Sequence, residues 1–338
     1  MYDIDLNRYT EVVDSAIALR PQIEKAVDEI CAQGYSNLFF IGCGGTYAHS
    51  LPMMYWLEST TNKVEAHAVI AAEFMVMGHK AFSKDSVCIF STRSGNTKEI
   101  VAAAKFCKEA GARTMVYVSN DNTPVCEYAD YKFYSPAEDP DLCEAIYSYT
   151  ICLLGRFMKN AGAFDKYDEF MAQYAGLTKY LIAGKEKFDP FCQELAKKFK
   201  NVDYHMVIGG GLLWCEAYDY AMCILEEMQW IRTKSIHVCE YFHGTLELVE
   251  KDTSLILFYG EDETRPLMDR VLKFSKTVSD EITIFDTKEV ELPFTDPEFR
   301  KIVSPIVIYA ITERLSAHLA KERNHPLTTR RYYRQMEY

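Results

Sequence analysis

The chain has 338 residues, of which 49% are hydrophobic and 25% charged, and its formal net charge is −12. This length allows about two domains, each with a core of its own. The acidic balance, without a basic run, argues against a nucleic acid or an anionic membrane surface as partner. No apolar run reaches the roughly 18 residues of a membrane helix, and no secretory signal opens the sequence, so we expect a cytoplasmic protein.

Eleven cysteines are spread along the chain, and no two lie closer than eight positions. This spacing excludes the CxxC pairs of zinc ribbons and redox motifs. Cys88, Cys152 and Cys223 lie inside apolar runs. We therefore expect buried thiols in a reducing compartment.

The first half alternates strand-length apolar runs with helical patterns. Residues 9–33 have apolar positions at helical spacing, and we expect Pro21 to divide this run into two helices. The predicted strands are Asn37–Ile41, Val64–Val69, Ser86–Phe90, Thr114–Ser119 and Tyr131–Tyr134. Strands that alternate with helices in this way are typical of βαβ crossovers and a parallel sheet.

The second half repeats this outline after two long helical runs, Leu142–Ala161 and Asp165–Lys200. Its predicted strands are His205–Ile208, Ser235–Cys239, Ser254–Phe258 and Glu281–Phe285. The segment Ile306–Ile308 is open between a strand and the start of a helix. The sequence thus predicts an α/β protein with two doubly wound parallel-sheet domains in tandem. We assign residues 1–165 and 201–338 to the domains and 166–200 to a helical connector.

Two loops with glycines and hydroxyls follow predicted strands: residues 42–46 read GCGGT, and residues 92–97 read TRSGNT. Parallel sheets bind ligands at the carboxyl ends of their strands, where helix N-termini favour anions. The second loop suits a phosphate monoester, because it offers three hydroxyls and a glycine before a helix. GxGxxG and Walker A motifs are absent from the sequence. The alternative is that Ser94 and Thr97 only cap the helix, and the loop alone leaves both open.

Glu226 and Glu227 end a predicted helix, and His243 follows sixteen positions after Glu227. A carboxylate and an imidazole can exchange protons with a substrate near neutral pH. These two can meet only if the chain doubles back or a second subunit supplies one of them. Glu226 is the alternative inward carboxylate, since consecutive residues differ by about 100° around a helix axis.

Two further side chains near His243 leave their roles open. Glu240 is either a second carboxylate of the site or a capping group. His237 and His243 lack a third ligand at helical or strand spacing, so no metal is expected.

These motifs together resemble the tandem SIS (sugar isomerase) family, which includes the isomerase half of glucosamine-6-phosphate synthase. The matching segments are residues 43–46, residues 92–97, Glu227 and residues 240–244. The likeness is nearer still to the fructosamine-6-phosphate deglycases of that family. It includes Trp230 and a tail with RRYY at residues 330–333 that ends in Glu337 and Tyr338.

The resemblance implies a flavodoxin-like fold for both domains and a set of site residues. The sugar phosphate would be held by the loop that contains Thr92, Arg93, Ser94 and Thr97. Gly44, Gly45 and Thr46 would lie along the sugar. Glu227 and His243 would be the catalytic acid and base, with Glu240 and Arg331 contacting substrate.

The resemblance also implies the partners. In the family the histidine comes from the neighbouring subunit, so we expect a homodimer or a higher homo-oligomer with shared active sites. The expected ligand is a sugar phosphate. No cofactor is expected, because the substrate nitrogen serves as the electron sink.

One departure favours deglycation over isomerisation. The isomerase uses a tail lysine as the amine that attacks the sugar, and five positions after Pro326 this chain has Arg331. A guanidinium stays protonated and cannot be that nucleophile. We therefore predict hydrolysis of 6-phosphorylated fructosamines such as fructoselysine 6-phosphate (or the related glucosamines) to glucose 6-phosphate and a free amine or amino acid. The alternatives are an aldose–ketose isomerase of amino-sugar phosphates and a sugar-phosphate sensor without activity.

Overall fold

The computed structural model describes residues 1–137 and 143–337. The chain divides into two compact units, which we call the N-terminal unit, Asp5–Thr178, and the C-terminal unit, Met1–Ile4 with Lys179–Tyr338. Two predicted positions, the helix start at Leu142 and the tail residue Tyr338, lie outside the described residues. The proposed domain limits at 165 and 200 stay a prediction.

The described part of the N-terminal unit contains a five-stranded parallel sheet of order β2-β1-β3-β4-β5. Its strands are β1 Leu38–Gly42, β2 Ala66–Ile70, β3 Val87–Thr92, β4 Arg113–Val118 and β5 Tyr131–Tyr134. β1 and β3 are buried along their whole length, which requires cover on both faces of the sheet. The five predicted strands are therefore confirmed, with ends shifted by at most two residues.

Helices of the N-terminal unit cover this sheet. They are α1 Leu6–Ile17, α2 Arg20–Gln33, α3 Gly45–Ala48, α4 Leu51–Thr60, α5 Ala71–Met77, α6 Lys98–Glu109, α7 Glu144–Asn160 and α8 Tyr167–Tyr174. Pro21 lies in the first turn of α2, where its missing N–H is no loss, so the predicted split is confirmed. Phe39 and Ile41 of β1 pack against Phe74 of α5 and Ile100 of α6 in one apolar cluster.

The C-terminal unit contains a four-stranded parallel sheet in the described residues, of order β7-β6-β8-β9. Its strands are β6 Tyr204–Gly209, β7 Arg232–His237, β8 Ser254–Tyr259 and β9 Ile282–Asp286. Taken in chain order, these strands are arranged like the first four of the other sheet. The prediction of two doubly wound parallel sheets is therefore confirmed.

The helices of the C-terminal unit differ more from prediction. They are α9 Leu177–Phe199, α10 Trp214–Asp219, α11 Glu227–Gln229, α12 Arg265–Ser275 and α13 Pro297–Glu322, with a π-helical stretch, Tyr220–Glu226, before α11. The single helix predicted for Asp165–Lys200 is wrong, because α8 ends at Tyr174 and α9 starts at Leu177. Ile306–Ile308, for which the sequence left strand and helix as alternatives, lies inside α13 and is helical.

The first residues of the chain belong to the C-terminal unit because α13 holds them. The fully buried guanidinium of Arg314 donates to the Tyr2 carbonyl. The Tyr2 ring stacks on the His318 ring at a centroid distance of 5.5 Å. Asp189 of α9 accepts from both Arg314, at 2.9 Å, and His318, at 3.0 Å. These contacts fix the N-terminus by a buried, charge-assisted network.

The cysteines are free thiols of differing exposure. Cys88 and Cys152 are buried, as predicted, whereas Cys223 is only partly buried and Cys239 is exposed. Cys223 lies in the π-helical stretch, where the helix face inferred from regular α-helical spacing no longer applies.

No helix in the described residues is both long enough and apolar enough to cross a membrane.

Candidate active site

The two loops singled out in the sequence lie side by side. β1 and β3 pair in parallel register from Leu38 with Val87 to Ile41 with Phe90, so both strands end at the same edge of the sheet. This pair is also the point at which the strand order reverses, the usual ligand position in such sheets. The structure therefore brings residues 42–46 and 92–97 together at the expected place.

Loop 92–97 is held in shape by a hydrogen bond between its backbone and the Thr92 side chain. The Gly95 N–H donates to Thr92 Oγ1 at 3.2 Å. Gly95 has φ +63°, and a Cβ at this position would overlap the Thr123 side chain, so glycine is required on both counts. Within the described residues the Thr97 side chain makes no capping hydrogen bond, although Thr97 is the N-cap residue of α6. The capping alternative therefore does not account for Thr97.

Loop 42–46 is locked by Thr46. Its hydroxyl donates to the Cys43 carbonyl at 3.0 Å and accepts from the Cys43 N–H at 3.1 Å. Gly42 is required for close packing, because a Cβ there would lie 2.5 Å from the Tyr47 nitrogen. Gly44 has φ +54° and precedes α3. Thr46 thus has a structural role in the loop that the sequence did not reveal.

The matching edge of the second sheet is filled by the protein itself. β6 and β8 are neighbours, as β1 and β3 are. After β8, Asp262 accepts from the Leu212 N–H and from the Thr264 N–H, each at 2.8 Å. Gly211, at φ +53°, has no room for a Cβ because the Asp262 carboxylate lies against it. A buried carboxylate thus occupies the position that an anionic ligand would take.

A cavity of about 770 Å³ lies elsewhere in the C-terminal unit. Acids, arginines and aromatic rings dominate its wall. The lining residues are Tyr204, Glu226, Glu227, Trp230, Ile231, Arg232, Thr233, Arg330, Arg331, Tyr332 and Tyr333. The wall combines the end of the π-helical stretch, α11, the start of β7 and the C-terminal tail.

The two adjacent glutamates have different partners in this cavity. Glu227 Oε1 lies 3.0 Å from Nε of Arg330. Glu226 accepts from the Thr233 hydroxyl at 2.6 Å and is the more exposed of the two. Glu227 is therefore the carboxylate that the tail engages, and both side chains reach the cavity wall.

Trp230 links the helix end to the tail. It adopts a left-handed backbone conformation, φ 57° and ψ 31°, immediately after α11. The Ile231 N–H donates to the Leu225 carbonyl across this residue, a closure that glycine usually provides. The Arg331 guanidinium lies 4.1 Å from the Trp230 ring centre, and the His325 ring contacts Trp230 edge-on at 4.5 Å.

His243 and Glu240 lie outside this cavity. Both are exposed in the turn after β7, and the His243 N–H donates to the Glu240 carbonyl at 3.0 Å. His237 precedes them, and burial lowers its pKa even though the nearby Glu240 carboxylate acts to raise it. Within the described residues, the structure does not bring His243 to the cavity of Glu227.

Sequence reasoning assigned no role to Arg232, Thr233 and Arg330 of the cavity wall. Arg232 and Thr233 start β7, and no motif distinguishes them from ordinary strand residues. Arg330 was noticed only as part of the tail, and its pairing with Glu227 joins positions far apart in the chain. Only the position of the tail motif after Pro326 hinted at a role.

The comparisons with known proteins bear on these features. The family model for the SIS domain matches residues 34–154, which include β1 to β5 and both loops. Over these residues the chain is similar to a SIS domain. The resemblance inferred from its motifs is thereby confirmed.

Two curated relatives of this chain are deglycases by name. The fructosamine deglycase FrlB of Bacillus subtilis is 29% identical over 94% of this chain and 97% of its own length. The fructoselysine 6-phosphate deglycase of Escherichia coli is 22% identical over 93% of this chain and 90% of its own length.

A crystal structure from Bacillus subtilis, described as a phosphosugar isomerase, matches with a TM-score of 0.90. It is 27% identical and covers 96% of this chain and 99% of its own. This structure therefore shares the described fold, with both sheets.

Proposed function

We propose that this protein hydrolyses 6-phosphorylated fructosamines to glucose 6-phosphate and a free amine. The observation that carries the proposal is the cavity in which Glu227 meets the arginines and aromatic rings of the tail. The names of the two deglycase relatives, which align with almost the whole chain, support it.

The chemistry needs one group that can take a proton from carbon. In the open-chain fructosamine, a base removes a proton from C1 and an enaminol forms. A proton added at C2 then gives an imine at C1. Water adds to C1, the C1–N bond breaks and the amine leaves with a proton. We assign the carbon proton to Glu227, since carboxylates serve as bases in such transfers and contribute on the order of 10²–10⁴ in rate.

Replacement of Glu227 by Gln tests this assignment. We expect turnover of fructosamine 6-phosphates to fall at least about 100-fold, while binding of the substrate is largely retained. Formation of glucose 6-phosphate, followed by a coupled dehydrogenase, measures turnover. Activity of the Glu227→Gln variant close to that of the wild type would remove Glu227 as the base.

We assign the phosphate group to the loop of Thr92, Arg93, Ser94 and Thr97. The support is its position after β3, at the reversal of strand order, and the absence of a capping bond from Thr97 in the described residues. Replacement of Thr97 by Val removes the hydroxyl at nearly constant volume. We expect KM to rise about tenfold for phosphorylated substrates only. An equal rise for unphosphorylated fructosamines would contradict the assignment.

We assign the second proton-transfer role to His243 of a second copy of the chain. The support is that His243 is exposed and does not line the cavity of Glu227. Mixing two inactive variants, Glu227→Gln and His243→Gln, tests this. Random pairing into dimers would restore one native site in each mixed dimer, or about a quarter of wild-type activity. If mixtures stay inactive after subunit exchange, the shared site is wrong.

Isomerisation is the alternative to deglycation. The residue that argues against isomerisation is Arg331. An isomerase of this kind would need an amine where this chain has a guanidinium. We expect no interconversion of fructose 6-phosphate and glucose 6-phosphate. Appreciable interconversion would favour the isomerase instead.

A further inference from the structure

Gln229 is the last residue of α11 and follows Glu227 by two positions. It is fully buried and does not line the cavity of Glu227. Its Nε2 donates to the His325 carbonyl at 2.8 Å. The Arg323 guanidinium donates to the Gln229 carbonyl at 3.3 Å. The side chain and the main chain of Gln229 thus both join the short helix of Glu227 to the end of α13.

His325 is a fixed point for this contact. Asn324 follows α13 in a left-handed conformation, φ 49°, and the His325 N–H donates to the Ala320 carbonyl at 2.9 Å. This closure is a Schellman motif, which satisfies the last carbonyls of a helix and sets the direction in which the chain leaves it. The tail that contains Arg330 continues from His325. Gln229 therefore holds the start of the tail against α11.

The helix that contains Glu227 needs such support. α11 is three residues long and follows a π-helical stretch directly. Short helices depend on tertiary contacts, and π-helical turns are rare and are found frequently at functional sites. The orientation of Glu227 therefore depends on the contacts that α11 makes with the rest of the C-terminal unit.

Stability alone does not explain a polar side chain at position 229. Within the described residues, the buried Oε1 of Gln229 has no hydrogen-bond partner, and neither has the buried Nε2 of His325. Each such atom costs folding free energy, which an apolar side chain of similar shape would avoid. The amide at position 229 therefore favours a role in the reaction.

We propose that Gln229 is a positioning residue for the reaction. It holds α11 and the start of the tail together, so that Glu227 and Arg330 form their ion pair at the cavity wall. This inference rests on the proposed deglycase function and adds to it a buried residue that acts through Glu227 without touching the substrate.

Replacement of Gln229 by Met tests the proposal, because methionine has a similar length but cannot donate to the His325 carbonyl. We expect kcat for a fructosamine 6-phosphate to fall about 10- to 100-fold, with KM within about threefold of the wild-type value. The midpoint of urea unfolding should stay within about 0.5 M of wild type, since the lost bond and the removed unpaired oxygen offset each other.

A second variant and a matched control complete the design. Gln229→Asn keeps the amide but shortens the side chain by one methylene, so it should lose kcat as Gln229→Met does. The control is Asn37→Leu in the N-terminal unit, because the buried Asn37 amide also donates to a backbone carbonyl, that of Ala81, at 2.8 Å. Asn37→Leu should lower the urea midpoint and leave the kcat of the folded enzyme unchanged.

Several results would overturn the proposal. They are an unchanged kcat in Gln229→Met, equal changes of kcat and KM in both variants, and failure of both variants to fold, which would make Gln229 purely structural. If the wild type releases no glucose 6-phosphate, the deglycase function fails instead. Trypsin cleavage after Arg330 under native conditions, followed by mass spectrometry, then tests the contact without turnover. Cleavage should be faster in Gln229→Met than in wild type and Asn37→Leu, and equal rates in all three would refute the contact.

Discussion

Arg330 and Glu227 form an ion pair in which Nε lies 3.0 Å from Oε1. The arginine is held from behind, because its NH1 donates to the carbonyls of Leu327 and Thr329 at 2.6 and 2.9 Å. Its side chain is 16% exposed and that of Glu227 is 32% exposed, so the contact is partly shielded from solvent. The tail therefore orients the carboxylate to which we assign the proton transfer.

Replacement of Arg330 by Gln should lower kcat about tenfold with a smaller change in KM, because the Glu227 carboxylate would no longer be held in one orientation. Steady-state kinetics on a fructosamine 6-phosphate measure both constants. Arg330→Lys should recover part of kcat, and Arg334→Gln serves as the control on the same tail. An unchanged kcat in Arg330→Gln would show that Glu227 needs no such orientation.

Trp230 allows a test of stored backbone strain. A left-handed conformation costs a non-glycine residue about 1 kcal/mol. Both Trp230→Gly and Trp230→Ala lose the stack on Arg331, but only glycine relieves the backbone. We expect the Gly variant to be more stable than the Ala variant by about 1 kcal/mol in urea unfolding. Equal stabilities would mean that the helix end shifts to accommodate alanine.

Gly78 and Gly95 have nearly the same φ but different surroundings. Replacing each by alanine therefore distinguishes the cost of backbone strain from the cost of steric overlap. Gly78 has φ +66° with no atom within 4 Å of an added Cβ, whereas Gly95, at φ +63°, has the Thr123 side chain in that place. Gly78→Ala should cost about 1 kcal/mol of unfolding free energy. Gly95→Ala should cost at least about 1 kcal/mol more and weaken binding of phosphorylated substrates. Equal costs at both positions would contradict the tight packing of loop 92–97.

His205 makes the stability of the C-terminal unit depend on pH. Burial lowers the pKa of His205 to about 4, and the nearby Arg323 charge acts in the same direction. Its Nδ1 lies 2.8 Å from the Ser254 hydroxyl, and its ring packs on Phe199. The folded state therefore keeps this imidazole neutral at pH values where the unfolded chain already binds a proton.

The unfolding free energy should accordingly fall as the pH decreases from about 6.5 to about 4, by roughly 3 kcal/mol from this residue. Above pH 6.5 the His205 imidazole is neutral in both the folded and the unfolded state. It therefore does not contribute to the pH dependence of the unfolding free energy there. Chemical unfolding at several pH values, compared between wild type and His205→Gln, isolates the contribution. Parallel pH profiles for the two proteins would refute it.

The sequence predicted the sheets well because each strand is a short apolar run between turn residues. It could not predict the π-helical stretch before Glu227 or the left-handed Trp230, because both contradict local preference and depend on tertiary contacts. The loops were found because glycine and hydroxyl patterns are local. The pair of Arg330 with Glu227 has no local signal, since it joins a helix end to the tail.

Because Asp262 accepts from amides at one sheet edge, the two sheet edges should differ in amide hydrogen exchange when no ligand is bound. The Leu212 and Thr264 amides already donate to it, so their protons should exchange slowly with solvent deuterium in the ligand-free protein. Inorganic phosphate should then slow exchange in residues 92–97 and leave residues 210–214 unchanged. If the proposed phosphate site at residues 92–97 is right, the first sheet needs an anion to satisfy its edge, whereas Asp262 of the chain itself satisfies the matching edge of the second sheet.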